Sequence, residues 1–204
     1  MTEEKIYIHN GSQIIEGLLG KVPGDRGVII CHPHSLMGGS MYNNVVEAIQ
    51  EAFSAENYST LRFNFRGVGK STGYYDEGRG EQEDVVSVCK YMKEMGVTTL
   101  VFAGYSFGAW VGSQIISECE KYFVTSILIS PPINYFKFEW HHLKDKIVLL
   151  ICGDSDSFCP KGALLSETKT INSKVKTIQG ADHFYIGKEE ELVYIIKEYL
   201  LNKT

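Results

Sequence analysis

Apolar and polar positions alternate at the start of the chain. Ile6 and Ile8 are flanked by polar residues, Asn10-Gly11 supplies a turn with positive backbone angles, and residues 14–19 return, which predicts a β-hairpin. From there the pattern changes to short apolar runs separated by helical periods. The runs cover residues 28–31, 61–65, 100–103, 127–129 and 147–152, with 175–178 last. The inner runs are almost continuously apolar, as strands buried on both faces must be. Lys174-Val175-Lys176-Thr177-Ile178 alternates instead, which suits an edge strand. Val85, Val88, Cys89 and Met92 repeat at helical spacing, and Gly96 stops that helix. Leu192, Ile195, Ile196, Tyr199 and Leu200 repeat the pattern behind Glu189, Glu190 and Glu191, acids suited to a helix N-terminus. Strands alternating with helices predict an α/β architecture, a mostly parallel sheet with helices on both faces.

Composition narrows the setting. With 204 residues, 44% of them hydrophobic, the chain is expected to form one domain, residues 1–204, whose core needs no staples. A net charge of −5 and no basic block argue against a nucleic-acid partner or an anionic membrane surface. No apolar run approaches the ~20 residues that cross a bilayer. The opening MTEEKIYIHN is acidic where a signal peptide would be basic. Cysteines at 31, 89, 119, 152 and 159 are odd in number and show no C-x-x-C spacing, so neither a disulfide framework nor a zinc site is indicated. Cys31 and Cys152 fall in apolar runs and read as reduced core residues, and the expected compartment is cytoplasmic.

In an open parallel sheet, ligands bind beyond the carboxyl ends of the strands. The segments that follow the runs are His32-Pro33-His34-Ser35, Arg66-Gly67-Val68-Gly69, Gly104-Tyr105-Ser106-Phe107-Gly108, Gly153-Asp154-Ser155-Asp156 and Asp182-His183. The third fits G-x-S-x-G between a strand and a helix, the context in which a serine hydroxyl projects from a sharp turn. The amide of Phe107, at the start of that helix, would face a developing oxyanion. A serine needs a base, and His183 follows the last strand in a short loop. His9 lies in the hairpin, and His141 and His142 are adjacent, so their side chains diverge. Asp154 and Asp156 compete for the acid. Asp156 is preferred because it stands farther into the loop, where it can reach across, whereas Asp154 at the strand end can accept local amides in an Asx-type turn. Asp182 adjoins His183, and adjacent side chains rarely pair.

The segments CHPHSLMGGSMYNNVV, LRFNFRGVGKSTG, AGYSFGA, CGDSD and GADHFY span residues 31–185, and together they resemble the α/β-hydrolases. The resemblance is to the small, cap-less bacterial serine hydrolases of the dienelactone hydrolase-like or alanine-esterase-like kind. It implies the α/β-hydrolase fold, no cofactor, and a Ser106–Asp156–His183 triad, with the acid at the end of G-x-x-D. It also implies that the H-P-H segment corresponds to the H-G-x loop, so that the amide of His34, or of Ser35 beside it, is the second oxyanion donor. Asn64 stands where many relatives carry Asp in D-x-R-G-x-G-x-S, which makes that loop structural.

Two other motifs fail on the letters. Gly69-Lys70-Ser71 would end a phosphate-binding loop, but its first glycine position holds Asn64. Gly67-Val68-Gly69 would begin a dinucleotide loop, but the third glycine position holds Thr72. About sixteen residues separate Ser130 from the run at 147, too few for a helical cap. That stretch crowds Tyr135, Phe136, Phe138 and Trp140, which could pack on the sheet edge, wall an acyl chain or form a homodimer contact. Phe107, Phe158 and Phe184 flank the candidate catalytic residues and suit an apolar acyl group, with Phe158 and Phe184 expected to bind substrate. Arg66 is the one candidate receptor for an anion. The expected function is a serine hydrolase acting on a small-molecule acyl ester or thioester. The alternatives are a peptidase or amidase on the same residues, or a binding protein that retains the fold without turnover.

Overall fold

The computed structural model describes residues 2–116 and 122–202. Its centre is an eight-stranded sheet in the order β1-β2-β4-β3-β5-β6-β7-β8. The chain runs β1 (Glu3–Asn10), β2 (Gln13–Gly20), β3 (Arg26–Cys31), α1 (Asn44–Ala55), β4 (Ser59–Phe63), α2 (Arg79–Glu94), β5 (Thr99–Tyr105), α3 (Phe107–Ile115), β6 (Phe123–Ile129), β7 (Ile147–Gly153), α4 (Lys161–Glu167), β8 (Lys174–Ile178) and α5 (Glu189–Leu201). The hairpin expected at the N-terminus is β1–β2, turning at Gly11 with φ 59°. Its second strand pairs antiparallel with β4, and every pair from β4 to β8 is parallel.

Alternation along the strands divides the core into two layers. Val28, Ile30, Val101, Ala103, Leu149 and Ile151 face α1 and α5, while Ile29, Cys31, Leu100, Phe102, Leu150 and Cys152 face the side that carries α2 and α3. Both faces of the inner strands are therefore apolar, which is why their sequence shows runs rather than alternation. β8 ends the sheet with Lys174 and Lys176 exposed, as an edge strand requires.

The sequence run at 61–65 overshoots its strand. β4 ends at Phe63, because the amide of Phe65 leaves the ladder and donates to the His32 ring at 3.0 Å. Cys31, Cys89, Cys152 and Cys159 are buried free thiols, and Cys119 lies outside the described residues. No helix among the described residues is long and apolar enough to cross a membrane.

From β3 the chain crosses to β4 on one side and returns to β5 on the other. That reversal opens a crevice at the carboxyl ends of β3 and β5. The loops after β3, β5, β7 and β8 converge there.

Candidate active site

Ser106 stands at the tip of the turn between β5 and α3 with φ 53° and ψ −119°, a backbone conformation rare outside glycine. Two glycines let the chain make this turn. A Cβ on Gly104 would sit 2.7 Å from the carbonyl oxygen of Gly108, and one on Gly108 would sit 2.6 Å from the carbonyl oxygen of Cys31. Ser106 is tied to the neighbouring strand by its amide, 2.9 Å from the Ile129 carbonyl. The next amide, that of Phe107, is the first of α3, where helical geometry provides no internal acceptor.

Ser106 Oγ lies 2.9 Å from His183 Nε2, and His183 Nδ1 lies 3.0 Å from both carboxylate oxygens of Asp156. All three residues are buried, with Ser106 the most open of them at 7% exposure. An ionised carboxylate only accepts, so Nδ1 carries the proton and Nε2 keeps its lone pair for the serine hydroxyl. Burial alone would raise the Asp156 pKa. Hydrogen bonding from His183 and the histidine's charge outweigh it, together with bonds from the Ser130 hydroxyl and the Cys159 amide, and hold the carboxyl below its ordinary range. The acid is therefore ionised throughout the neutral pH range.

Asp156 makes the expected reach to His183 and also takes the local turn expected of Asp154. Asp156 Oδ1 accepts the amides of Phe158 at 2.8 Å and Cys159 at 3.0 Å, which is the turn expected of Asp154. Asp154 instead reaches the next loop, accepting the Gly180 amide at 2.8 Å. The Asp156 carboxylate can do both tasks because its two oxygens offer about four acceptor directions. Asp182 accepts the amides of Phe184 and Tyr185 and shapes the loop that carries His183.

His34 and Ser106 line one cleft of about 110 Å³ with Pro33, Met37, Tyr105, Phe158, His183 and Phe184, while Ser35 is not among its lining residues. Phe158 and Phe184 both line this cleft. The Phe158 ring stacks on the His183 imidazole at 4.3 Å and 16°, and Tyr135 covers Phe158 at 4.9 Å. Phe107 differs from expectation: its side chain is fully buried between His34, Phe65 and Trp110, so its ring forms no part of the cleft wall. The aromatic stretch also divides. Phe138 and Trp140 stack at 4.8 Å within the core, Phe136 packs on Trp110, Phe107 and the ring of His34, and Tyr135 lies against Phe158.

Arg66 is not an anion receptor. Its guanidinium is engaged by the fully buried Asp84 at 2.8 Å and by Glu83 at 3.1 Å. Asn64 is structural, as its letter suggested: Nδ2 donates to the buried Glu16 at 2.9 Å and Oδ1 accepts the Met41 amide at 2.9 Å. An aspartate here would set two carboxylates against each other.

One residue escaped the sequence reading. His32 is fully buried, its Nε2 accepts the Phe65 amide at 3.0 Å, and its Nδ1 donates to the Pro33 carbonyl at 2.6 Å. Burial pushes its pKa down to about 4, so the ring is a neutral strut under the 33–39 loop. Its place directly after a buried strand, in H-P-H, marks its position but not its role, which depends on the distant Phe65 amide.

No family model matches the chain. An uncharacterised protein of Rickettsia prowazekii is 31% identical over 212 residues, covering 97% of this chain and 88% of its own length. A solved α/β serine hydrolase homologue from Coxiella burnetii is 30% identical, covers 98% of both chains and superposes with a TM-score of 0.89. A serine hydrolase without a lid from Xanthomonas campestris is 26% identical, covers 97% of this chain and 93% of its own, and superposes with a TM-score of 0.85. The connection between β6 and β7 accounts for the likeness to a lidless protein, since it holds one short 3₁₀ turn, Trp140–Leu143, and no helical cap. Sequence identity and backbone agree from end to end, and on that basis the chain belongs to the α/β-hydrolase superfamily.

Proposed function

We propose that the protein is a serine hydrolase that cleaves carboxylic esters, or the corresponding thioesters, of short uncharged acyl groups. The observation that carries this reading is the continuous hydrogen-bonded line from Ser106 Oγ through the His183 ring to Asp156. In the first half-reaction Ser106 Oγ bonds to the acyl carbon while its proton moves to His183 Nε2. The carbonyl electrons collect on the oxyanion, which the amides of Phe107 and His34 receive. Collapse breaks the bond to the alcohol or thiol, which takes the proton from His183. Water then repeats the sequence against the acyl-enzyme and restores Ser106. Asp156 keeps the proton on Nδ1 and offsets the imidazolium charge.

The cleft supports the substrate class. Its volume of about 110 Å³ is small for a ligand cleft, which suits a short acyl chain. Among the described residues its lining holds no Lys, Arg, Asp or Glu, so a charged acyl group would lose hydration without a partner. Met37 and Phe184 line the cleft, stand exposed and offer apolar contact to the alcohol portion.

Fluorophosphonate labelling and a series of p-nitrophenyl esters of increasing acyl length test the reading. Wild-type protein should label at Ser106 and show kcat/KM highest for chains of about two to four carbons. Ser106→Ala should lose labelling and turnover at an unchanged melting temperature. Turnover retained by purified Ser106→Ala would overturn the assignment, and a preference for long or anionic acyl groups would overturn the substrate class.

A further inference from the structure

His183 is restrained at its edge and at its face by different residues. The bonds to Ser106 Oγ and to the Asp156 carboxylate act at the ring nitrogens, in the plane of the imidazole. The Tyr105 hydroxyl, donating at 2.6 Å to the His183 carbonyl, holds the backbone. The face of the ring meets Phe158, with centroids 4.3 Å apart and planes 16° from parallel. In the reaction described above, the bond at Nε2 is broken and remade as the proton passes from Ser106 to the leaving group. The stack involves no proton and stays the same through the cycle.

Phe158 also touches the acid. Its amide donates to Asp156 Oδ1 at 2.8 Å, one of the two oxygens that face His183 Nδ1. Its carbonyl accepts the Asn134 amide at 3.3 Å, and Asn134 Nδ2 donates to the preceding carbonyl, that of Ser157, at 2.8 Å. Tyr135, the next residue, packs on the Phe158 ring at 4.9 Å. The connection between β6 and β7 therefore grips residue 158 by its backbone and by its side chain. With its amide on Asp156 and its ring on His183, this one residue spans the acid and the base.

We propose that Phe158 is a positioning residue whose ring, held by Asn134 and Tyr135, keeps the His183 imidazole in the plane that serves both Asp156 and Ser106. The proposal rests on the serine hydrolase reading above. Rotation of the imidazole about its bond to Cβ would turn Nε2 away from Ser106 Oγ. Such rotation in either direction drives one edge of the imidazole into the stacked ring, and the stack itself is attractive. Once Ser106 is acylated its hydroxyl no longer holds Nε2, and the stack and the bond to Asp156 keep that nitrogen aimed at the incoming water. Phe158 thus acts on the rate through His183, by the same factor for every acyl group. A residue that served as a wall for the acyl chain would instead discriminate among chain lengths.

Phe158→Leu removes the planar face and keeps apolar bulk, whereas Phe158→Tyr keeps the face. The assay is turnover of p-nitrophenyl acetate, butyrate and hexanoate, with active sites counted by fluorophosphonate labelling carried to completion. In Phe158→Leu, kcat per labelled site should fall roughly 10- to 100-fold, by one factor for all the esters, with KM changed by less than about threefold. Phe158→Tyr should stay within a few-fold of wild type. Tyr135→Ala, at an exposed position where folding is not at stake, should lower kcat by a few-fold in the same uniform way. A purely structural role would lower the melting temperature and the number of labelled sites while leaving kcat per site unchanged, and that result would overturn the proposal. A loss confined to KM or dependent on acyl length would overturn it in favour of a substrate wall, and a Phe158→Tyr as slow as Phe158→Leu would overturn it too. Wild-type protein that neither labels nor turns over would overturn it together with the hydrolase reading.

Discussion

His32 offers a perturbation whose size follows from the structure. Its pKa falls from an ordinary 6.5 to about 4 because burial disfavours the charged ring, which outweighs the opposing bond to the Pro33 carbonyl. A histidine depressed in the folded state binds protons more readily when unfolded. Its contribution is therefore complete above about pH 6.5, falls as the pH drops, and is exhausted near pH 4. Two and a half units correspond to about 3 kcal/mol. The carboxylates of the protein titrate in part of the same window, so the comparison has to be with a variant that differs at this site alone. His32→Gln keeps hydrogen-bonding groups and loses the titration. At pH 7 it should be less stable than wild type by about 1–2 kcal/mol, from imperfect replacement of two buried bonds. Urea unfolding from pH 7.5 to 4 should show that deficit shrinking and then reversing, by about 3 kcal/mol in total. The slope should not exceed one proton. A deficit independent of pH across this range would refute a neutral buried His32. The same variant loosens Pro33 and the loop bearing the His34 amide, so kcat for an ester should fall while KM changes little.

The remaining predictions concern carboxylates. Asp156→Asn should lower kcat by about 10⁴-fold through the wrong imidazole tautomer. Asp154→Ala should leave kcat within a few-fold and cost about 1 kcal/mol in urea unfolding, the bond to the Gly180 amide being lost. If the two effects are exchanged, the acid has been misassigned. Asn64→Asp should place a second negative charge 2.9 Å from Glu16, so its melting deficit should be largest at pH 7–8 and shrink toward pH 4 as one carboxyl takes a proton. A deficit that grows on acidification would refute the Glu16–Asn64 pairing.

Much of this was legible from the chain alone, because the deciding physics is local. Continuous apolar runs at 28–31 and 147–152 report strands covered on both faces, and Lys174 and Lys176 report an edge. Gly104 and Gly108 around Ser106 report a turn where backbone passes backbone, and that requirement holds wherever the turn lies in the sheet. Order along the chain also brought His183 and the acids of residues 154–156 to the same sheet edge as Ser106, since each follows a parallel strand.

What the letters left open depends on which distant groups meet. Asp156 is the preferred acid from its place in the loop, but that Asp154 takes the Gly180 amide and Asp156 also the local turn follows only from the packing of the β7 and β8 loops. Arg66 reads as a free cation until the buried Asp84 of α2 is folded against it. Phe107 reads as a pocket wall until its ring is enclosed by His34, Phe65 and Trp110. His32 carries no signature of its own, because a histidine acquires a role through the donor or acceptor it meets. That partner, the Phe65 amide, lies 33 positions away. Periodicity and turn chemistry act over a few residues and determine the elements, whereas hydrogen-bond partners and burial are set only when the sheet closes.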